Sequence, residues 1–537
     1  MAKVKLVVAG VAGAPYRKRS GQERGPATQR RMVLVGPVTR LGPMQQSKRY
    51  SALRLAGIGP LLVLVSLVGA VGITGCRLHR KPAADSKRAA ARALVRAHLE
   101  KFPNVIIIVL DAARADHFGC YGYPRDTTPN IDRLAKESLV FEQHFCDFPR
   151  TAESTVSLFT GRYAADFGYH GGSRSLASRL RALGFVAESF TQHSFPPLQG
   201  ALGSVGITQN ANPRPLSAPK SGHWGKPTDL AVRFRRRFSR RQDRASPLFV
   251  YLHMLPPHTP YDAPKEFQQL FAGRTPPGTR QGDYPFPQVK PEKVGGGGLL
   301  KVLGLREWVN QYDANLRWAD FAVGQLVKTL RELDRLDDTI LIVTADHGEA
   351  FGEHGYQGHV RCVYDEMVHI PLVMRLPGKR LRGRISALTQ TVDIAPTILE
   401  LLGANTEDAP IQGQSLVPLI AKSSPRVREA AFAFAGGIPQ SSLVRTQEWA
   451  LILYEGGELR ALYNLKRDPG ETRNVIAQHP REARELADEF RRFASSLPGR
   501  PLQFVDSSYA VPPQPEPKQR SLTADERQQI RALGYTD

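Results

Sequence analysis

The 537-residue chain is poor in cysteine, in acidic side chains and in long hydrophobic runs. Four cysteines in a chain of this length exclude a small scaffold held together by disulfides. A single long apolar run excludes a polytopic membrane protein. A disordered tail protein is excluded because 41% of the residues are hydrophobic. At roughly 100 to 200 residues per domain, the length accommodates one large domain with additions or several small ones.

The shortage of acidic residues is uneven along the chain. There are 73 Lys and Arg against 50 Asp and Glu, a net charge of +23, which at first suggests a nucleic-acid partner. Residues 1–54 contribute +11 and residues 77–101 contribute +6, which leaves only +6 for everything beyond Lys101. The basic character therefore belongs to the flanks of one hydrophobic segment, and we expect no nucleic-acid partner.

That hydrophobic segment, 54–76, predicts contact with a membrane. Its residues Leu55 to Cys76 include no charge, and basic residues precede them. Both an uncleaved anchor and a cleaved export signal fit this pattern. Ile73 to Cys76 resembles the bacterial lipobox, which would make Cys76 the lipidated residue. We therefore expect a basic extension at 1–53, a basic linker at 77–101, and a catalytic domain exported to the bacterial cell envelope and anchored to the membrane.

The three cysteines beyond this segment are Cys120, Cys146 and Cys362. Their odd number predicts no disulfide framework.

Two apolar runs end in metal-ligating side chains. Val105 to Leu110 is a β-rich run followed by Asp111, and Thr339 to Ala345 is followed by Asp346 and His347. Uninterrupted apolar runs of this length are typical of strands buried on both faces of a parallel sheet. Either strand end alone is typical of an ordinary turn. Together they predict one metal site, since ligands gather at the carboxyl edge of such sheets.

Other segments have an apolar periodicity or a residue composition that predicts their secondary structure. The range 305–336 has apolar residues at helical spacing and predicts a helix packed on the sheet. The Pro- and Gly-rich range 264–300 predicts a long surface loop. Residues 449–454 and 459–465 predict a β-hairpin, and 480–496 predicts a surface helix.

Seven stretches together resemble the sulfatases of the alkaline phosphatase superfamily. They lie in family order between about Asn104 and Asn474: LDAARAD with CYGY, STVSLFTGRY, HMLPPHTPY, YDANLRWADFAVGQL, TADHGEAFGEHG, TVDIAPTILELLG and LYNLKRDPGETRNV. The resemblance implies an α/β fold with a mixed, mainly parallel central sheet between helices and a smaller C-terminal α+β subdomain. We place the catalytic domain at 102–425, the subdomain at 426–500, and a Pro-rich tail with a short terminal helix at 501–537.

The resemblance also implies a nucleophile position, nine residues before Thr160, and there the chain has Thr151. Sulfatases have a Cys or Ser in a CxPxR context at this place, which becomes formylglycine. We reject Cys146 as that residue because it lies five residues too early. A Thr resembles the phosphoethanolamine and phosphoglycerol transferases, which form a covalent phospho-threonine. The alternative role for Thr151 is an N-cap.

By the same motifs, the metal ligands would be Asp111, Thr151, Asp346 and His347. Sulfatases usually have a second Asp where this chain has Ala112, and often an Asn where it has His347. One oxygen ligand fewer and one imidazole more favour zinc or manganese over calcium, which stays an alternative.

Three further residues occupy family positions with catalytic roles. The resemblance implies that His258 contacts a nonbridging oxygen or protonates the leaving group. His359 replaces a Lys that binds the anion, and it is placed to do the same or to help hold a second metal. Arg114, in an Asp-x-x-Arg pattern, would brace the nucleophile or the Asp, and an ordinary surface arginine is the alternative.

The resemblance therefore predicts a metal-dependent hydrolase of sulfate or phosphate esters that acts through Thr151 and a covalent intermediate. The substrate would be a small molecule or a glycan- or lipid-linked ester. A membrane-associated phosphoethanolamine- or phosphoglycerol-type transferase is one alternative. An inactive, membrane-tethered binding protein that keeps the fold is the other, which the missing CxPxR motif favours and the retained ligands disfavour.

Overall fold

A computed structural model describes part of the chain, all within the unit Leu78–Asp537. The described ranges are 103–166, 175–192, 202–203, 226–239, 246–276, 298–359, 362–379, 381–404, 411–436, 440–454 and 457–497. The predicted segments 1–53, 54–76, 77–101 and 501–537 lie outside them, and so does Cys76. Among the described helices, none combines the length and apolarity needed to cross a bilayer.

Thirteen strands form a large sheet, a small hairpin and a second sheet within the described ranges. In chain order they are β1 (Asn104–Leu110), β2 (Leu139–Phe145), β3 (Val186–Thr191), β4 (Leu248–Met254), β5 (Thr339–Ala345), β6 (Ala350–Phe351), β7 (Gln357–Gly358), β8 (Leu372–Arg375), β9 (Gly383–Gln390), β10 (Ala431–Ala435), β11 (Ser441–Arg445), β12 (Trp449–Tyr454) and β13 (Glu458–Asn464).

The central sheet has the strand order β3-β4-β1-β5-β8-β2-β9. All neighbouring strands are parallel except β8, which is antiparallel to both β5 and β2. Strands β1 and β5 are buried at every position. This is the burial expected of apolar, β-branched runs in the middle of a parallel sheet. The predicted mixed, mainly parallel sheet is confirmed.

Helices cover both faces of this sheet. The described helices, of which the last packs on the second sheet instead, are α1 (Pro129–Ala135), α2 (Thr151–Thr160), α3 (Leu176–Ala182), α4 (Pro227–Ser239), α5 (Lys265–Phe271), α6 (Gly298–Glu332), α7 (Asp365–Val368), α8 (Ile394–Leu402), α9 (Val417–Ile420) and α10 (Pro480–Ser496). Alternate residues of β1 enter opposite cores: Ile106 and Ile108 pack with the α6 side, and Val105 and Ile107 with the side of α2 and α8. The sheet is therefore the middle layer of three.

The prediction of one long loop over 264–300 is wrong at both ends. Helix α5 lies inside that range, and α6 begins at Gly298 rather than near residue 305. Phe271 of α5 is buried against Ala314 and Trp318 of α6. Contact with the long helix therefore orders a segment whose Pro and Gly residues predict a loop.

The smaller C-terminal unit is an antiparallel sheet, β10 to β13, with α10 packed on one face. The predicted hairpin is confirmed, because β12 and β13 pair antiparallel, and α10 confirms the predicted surface helix. Ala483 and Phe490 of α10 are buried against Phe432 and Leu451 of the sheet. This amphipathic helix gives the small sheet a core of its own.

Buried ion pairs connect the two sheets. We call Arg445, Glu471, Asp365, His354 and Glu366 the interface cluster. Arg445 of β11 lies 2.9 Å from Asp365 and 3.2 Å from Glu471. His354 Nδ1 lies 3.0 Å from Glu366 Oε1, and its Nε2 lies 2.9 Å from the Glu471 carbonyl oxygen. These contacts fix the C-terminal unit against the segment that follows β5.

Candidate active site

The register of β1 and β5 brings the predicted ligands together. The two strands are parallel neighbours, and Leu110 pairs with Ala345. Asp111 and Asp346, the next residue of each strand, therefore lie at the same sheet edge. One ligand atom from each of Asp111, Asp346 and His347 lies within 4.8 Å of the others, and all three residues are buried. We call these three residues the metal-site cluster.

A left-handed turn at Ala112 shapes the cluster. The φ of Ala112 is +59°, a conformation that costs an alanine about 1 kcal/mol. In this conformation its amide donates to Asp346 Oδ1 at 3.1 Å, and the His347 amide donates to the same oxygen at 3.0 Å. The Tyr312 hydroxyl donates to the Ala112 carbonyl oxygen at 2.9 Å and secures the turn. Asp346 Oδ1 thus accepts hydrogen bonds from two backbone amides, and Oδ2 remains available to bind a metal ion.

The remaining donor atoms fit a divalent cation. Asp111 Oδ1 and Asp346 Oδ2 are buried, and neither accepts a hydrogen bond from any described residue. We assign the Nδ1 proton of His347 to its 2.9 Å bond with the Gly348 carbonyl oxygen, which leaves Nε2 as the lone-pair nitrogen. That nitrogen lies 3.6 Å from each carboxylate. Two oxygens and one imidazole nitrogen suit zinc or manganese.

The two carboxylates of the cluster have opposite pKa shifts. For Asp346, burial and the negative charge of Asp111 raise the pKa above its ordinary value. For Asp111, burial also favours the neutral form, but the charge of His258 and the hydrogen bond from His253 outweigh it, so its pKa lies well below the usual range. Burial would lower the pKa of His347, and the two acids raise it instead. The site therefore attracts positive charge.

Thr151 begins α2 and points towards the cluster. Its Oγ1 lies 3.3 Å from His347 Nε2, and the residue is 3% exposed. The alternative N-cap role is wrong, because Arg150 occupies the N-cap position. The first amides of a helix lack intrahelical acceptors, so the start of α2 presents donors and positive potential beside the Thr151 hydroxyl.

The two predicted catalytic histidines lie next to the cluster. The His359 ring centroid is 4.2 Å from that of His347 and 5.2 Å from that of His258. His359 Nδ1 is 3.5 Å from Glu349 Oε1. Burial and the nearby charge of His347 lower the pKa of His359 to about 4, so its imidazole is neutral near pH 7.

Arg114 contacts the segment after β5. Its guanidinium donates to Glu353 Oε1 at 2.7 Å, to the Glu349 carbonyl oxygen at 3.0 Å, and to both carboxylate oxygens of Asp116. It also lies 4.7 Å from the centroid of the Phe351 ring. Through these contacts Arg114 positions the segment that carries Glu349, and any direct part in the reaction stays a prediction.

The sequence analysis missed His253. This residue of β4 is fully buried, and its Nε2 lies 3.1 Å from Asp111 Oδ2. The family motif draws attention to His258 at the end of the same stretch. Tyr251 and His253, at alternate positions of an otherwise apolar strand, were the available signal.

The cysteines take no part in the site. Cys146 is fully buried at the end of β2, and its thiol lies 3.7 Å from the Met367 carbonyl oxygen. Burial raises the pKa of this thiol well above its ordinary value. Cys120, Cys146 and Cys362 are all free thiols in the described part of the chain.

Known proteins with the same fold include sulfatases and a phosphonate monoester hydrolase. An arylsulfatase of Clostridium perfringens is 23% identical, with 76% of this chain and 96% of that protein covered. The phosphonate monoester hydrolase of Agrobacterium radiobacter has a TM-score of 0.60 at 21% identity, covering 74% of this chain and 97% of that one. A structure solved in complex with its substrate D-glucosamine-2-N,6-O-disulfate has a TM-score of 0.60 at 19% identity, covering 75% and 99%.

Family models match most of the described region. The sulfatase model matches residues 103–404, more than half of the chain and the whole metal-site cluster. The model of the C-terminal part of N-sulphoglucosamine sulphohydrolase matches residues 352–494, which include the interface cluster. The chain therefore belongs to the sulfatase family and is a sulfuric or phosphoric ester hydrolase.

Proposed function

We propose that this chain is a metal-dependent hydrolase of sulfate or phosphate esters in which Thr151 is the nucleophile. The observation that carries the proposal is the position of the Thr151 hydroxyl at the start of α2. It lies 3.3 Å from the lone-pair nitrogen of His347, beside two carboxylate oxygens that accept no hydrogen bond from described residues. The same residues would hold the metal: Asp111, Asp346, His347 and Thr151.

The chemistry follows from the residues at the site. A divalent ion, when bound there, would supply Lewis-acid chemistry that lowers the pKa of the Thr151 hydroxyl and offsets the charge of the ester. The amides at the start of α2 bind nonbridging oxygens of the ester. The Thr151 hydroxyl gives its proton to solvent, Oγ1 forms a bond to phosphorus or sulfur while the bond to the leaving oxygen breaks, and His258 gives that oxygen a proton. Water then attacks phosphorus or sulfur and gives a proton to His258, the bond to Oγ1 breaks, and phosphate or sulfate leaves as the Thr151 hydroxyl is restored.

A threonine at the nucleophile position favours phosphate esters over sulfate esters as substrates. A threonine cannot become the formylglycine on which sulfatases rely, whereas a threonine hydroxyl is the nucleophile of the phospho-transferring members of the superfamily. Water as the final acceptor makes the chain a hydrolase, and an alcohol in its place would make it a transferase.

The location of the enzyme is part of the proposal. We propose that segment 54–76 exports the chain and anchors it to the membrane of a bacterial envelope, through Cys76 if the lipobox is cleaved. Intact mass of the membrane-extracted protein tests this, since cleavage and lipidation make Cys76 the modified first residue. A chain that keeps residues 1–75 contradicts lipidation.

The experiment that tests the function compares the full chain with Thr151→Ala on 4-nitrophenyl sulfate, 4-nitrophenyl phosphate and bis(4-nitrophenyl) phosphate. We expect turnover of at least one phosphate ester, abolished by a chelator, and a loss of at least about 1000-fold in Thr151→Ala. Thr160→Ala, at the other end of α2, is the matched control and should keep activity. Intact mass after rapid quenching should show the adduct on Thr151.

Each result decides between the open alternatives. Product formed only when an alcohol is added would identify a transferase. Absence of turnover on all three esters, together with absence of bound metal, would support the inactive binding protein and overturn the proposed function.

A further inference from the structure

A buried pair on β4 contacts the metal-site cluster from the neighbouring strand. Tyr251 and His253 are both fully buried and, two residues apart, point to the same face of the sheet. His253 Nε2 lies 3.1 Å from Asp111 Oδ2, and His253 Nδ1 lies 2.8 Å from the Tyr251 hydroxyl. Strand β4 is parallel to β1, and the amide of Asp111 donates to the Met254 carbonyl oxygen at 2.9 Å.

The two contacts of His253 define the direction of its hydrogen bonds. A carboxylate can only accept, so the nitrogen that faces Asp111 Oδ2 carries a proton. A phenol keeps its proton at neutral pH, so the Tyr251 hydroxyl donates to the other ring nitrogen. Both ring nitrogens of His253 are then occupied, and neither is available to coordinate a metal while these bonds stand.

The bond from His253 leaves one oxygen of Asp111 for the site. Oδ2 accepts from His253, whereas Oδ1 accepts no hydrogen bond from described residues and lies 3.6 Å from His347 Nε2. Asp346 has the same arrangement, with Oδ1 held by two amides and Oδ2 left over. In each carboxylate, one oxygen is fixed and the other faces the cluster.

We propose that His253, held by Tyr251, is a positioning residue that orients Asp111 for metal binding and is not itself a ligand. The proposal rests on the metal site of the proposed function. It differs from that function by assigning a role to two residues outside the ligand set. Hydrogen-bonded partners of metal ligands change affinity by about 10- to 100-fold when removed.

The test measures zinc affinity of the full chain by competition with a chromophoric chelator. We expect His253→Leu to weaken zinc binding by about 10- to 100-fold. His253→Gln keeps a donor towards Asp111 and should recover most of the affinity. Tyr251→Phe should weaken binding by a smaller factor, about threefold, because His253 stays in place. His144→Leu removes another fully buried histidine of the central sheet and should leave zinc affinity unchanged.

X-ray absorption at the zinc edge separates positioning from ligation. The number of imidazole ligands should be the same in wild type and His253→Leu, and the loss of one imidazole would overturn the positioning role. Equal zinc affinity in wild type, His253→Leu and Tyr251→Phe would overturn the proposal while the proposed function stands. A wild-type chain that binds no divalent ion, whether zinc, manganese or calcium, would overturn the proposed function itself.

Discussion

The metal-site cluster and the interface cluster differ in what neutralises their buried acids. In the interface cluster, each carboxylate lies 2.9 to 3.2 Å from a basic side chain. In the metal-site cluster, His253 meets one oxygen of Asp111, but Asp111 Oδ1 and Asp346 Oδ2 accept no hydrogen bond from the described residues and lie 3.6 Å from His347 Nε2. Burying a carboxylate without a compensating charge costs several kcal/mol of folding free energy, and this cost applies to both clusters.

This difference indicates a structural role for the interface cluster and a metal-binding role for the metal-site cluster. The acids of the interface cluster are paired with Arg445 and His354, and these pairs hold the C-terminal unit against the segment after β5. Asp111 Oδ1 and Asp346 Oδ2 lie together with His347 at the carboxyl ends of parallel strands and beside a helix start, where a bound cation would neutralise them. If these contacts determine the two roles, substitutions in the two clusters should change activity and stability in opposite proportions.

Asp346→Asn should give the largest loss of activity. The amide side chain keeps the oxygen that accepts from two backbone amides and replaces the oxygen that faces the site. We expect turnover to fall by at least about 1000-fold and bound metal to be lost. The free energy of unfolding of the metal-free protein should not fall, because the substitution removes a buried acid next to Asp111. Steady-state kinetics and urea unfolding measure both, and an active variant would contradict the ligand role.

Arg445→Met should lower stability and leave activity nearly unchanged, the reverse of what we expect for Asp346→Asn. The substitution keeps an apolar stem against Phe145 and leaves Asp365 and Glu471 without their shared cation. We expect the free energy of unfolding to fall by about 3 kcal/mol, while turnover per folded molecule stays within about threefold. Urea unfolding combined with active-site titration checks this. A variant as stable as wild type would show that the interface cluster does not hold the two units together.

The smallest effect is a pH dependence of stability that originates in His354. Burial would lower the pKa of this imidazole, but the charge and hydrogen bond of Glu366 outweigh it and raise the pKa to about 9. The resulting stabilisation is complete below pH 6.5 and is lost as pH rises through 9. We expect wild type to lose on the order of 2 kcal/mol over this range relative to His354→Gln. Parallel stability curves for the two proteins would contradict this assignment.

Much of the fold and site follows from local sequence. Strands β1 and β5 are buried on both faces, so their apolar runs predict them, and the residue after each run is a ligand because the two strands are parallel neighbours. The position of Thr151 follows from family spacing, and the structure places its hydroxyl beside His347. These elements were predictable because strand ends and short motifs are local properties of the chain.

The parts that were missed depend on packing between distant segments. His253 reaches Asp111 only because β4 lies next to β1, and the two residues are 142 positions apart. The interface cluster forms when β11 docks against the segment after β5, which no short motif indicates. Helix α5 was mistaken for a loop because burial of Phe271 on α6 outweighs the Pro and Gly residues that follow it.

The metal content of the full chain is the most direct test of the central claim that the metal-site cluster holds the cation on which the Thr151 reaction depends. Mass spectrometry of purified protein should find one divalent ion per chain in wild type and in Arg445→Met, and none in Asp346→Asn. Chelation should remove the ion and the turnover together, and zinc or manganese should restore both. Undiminished turnover by a metal-free wild-type chain would contradict the claim.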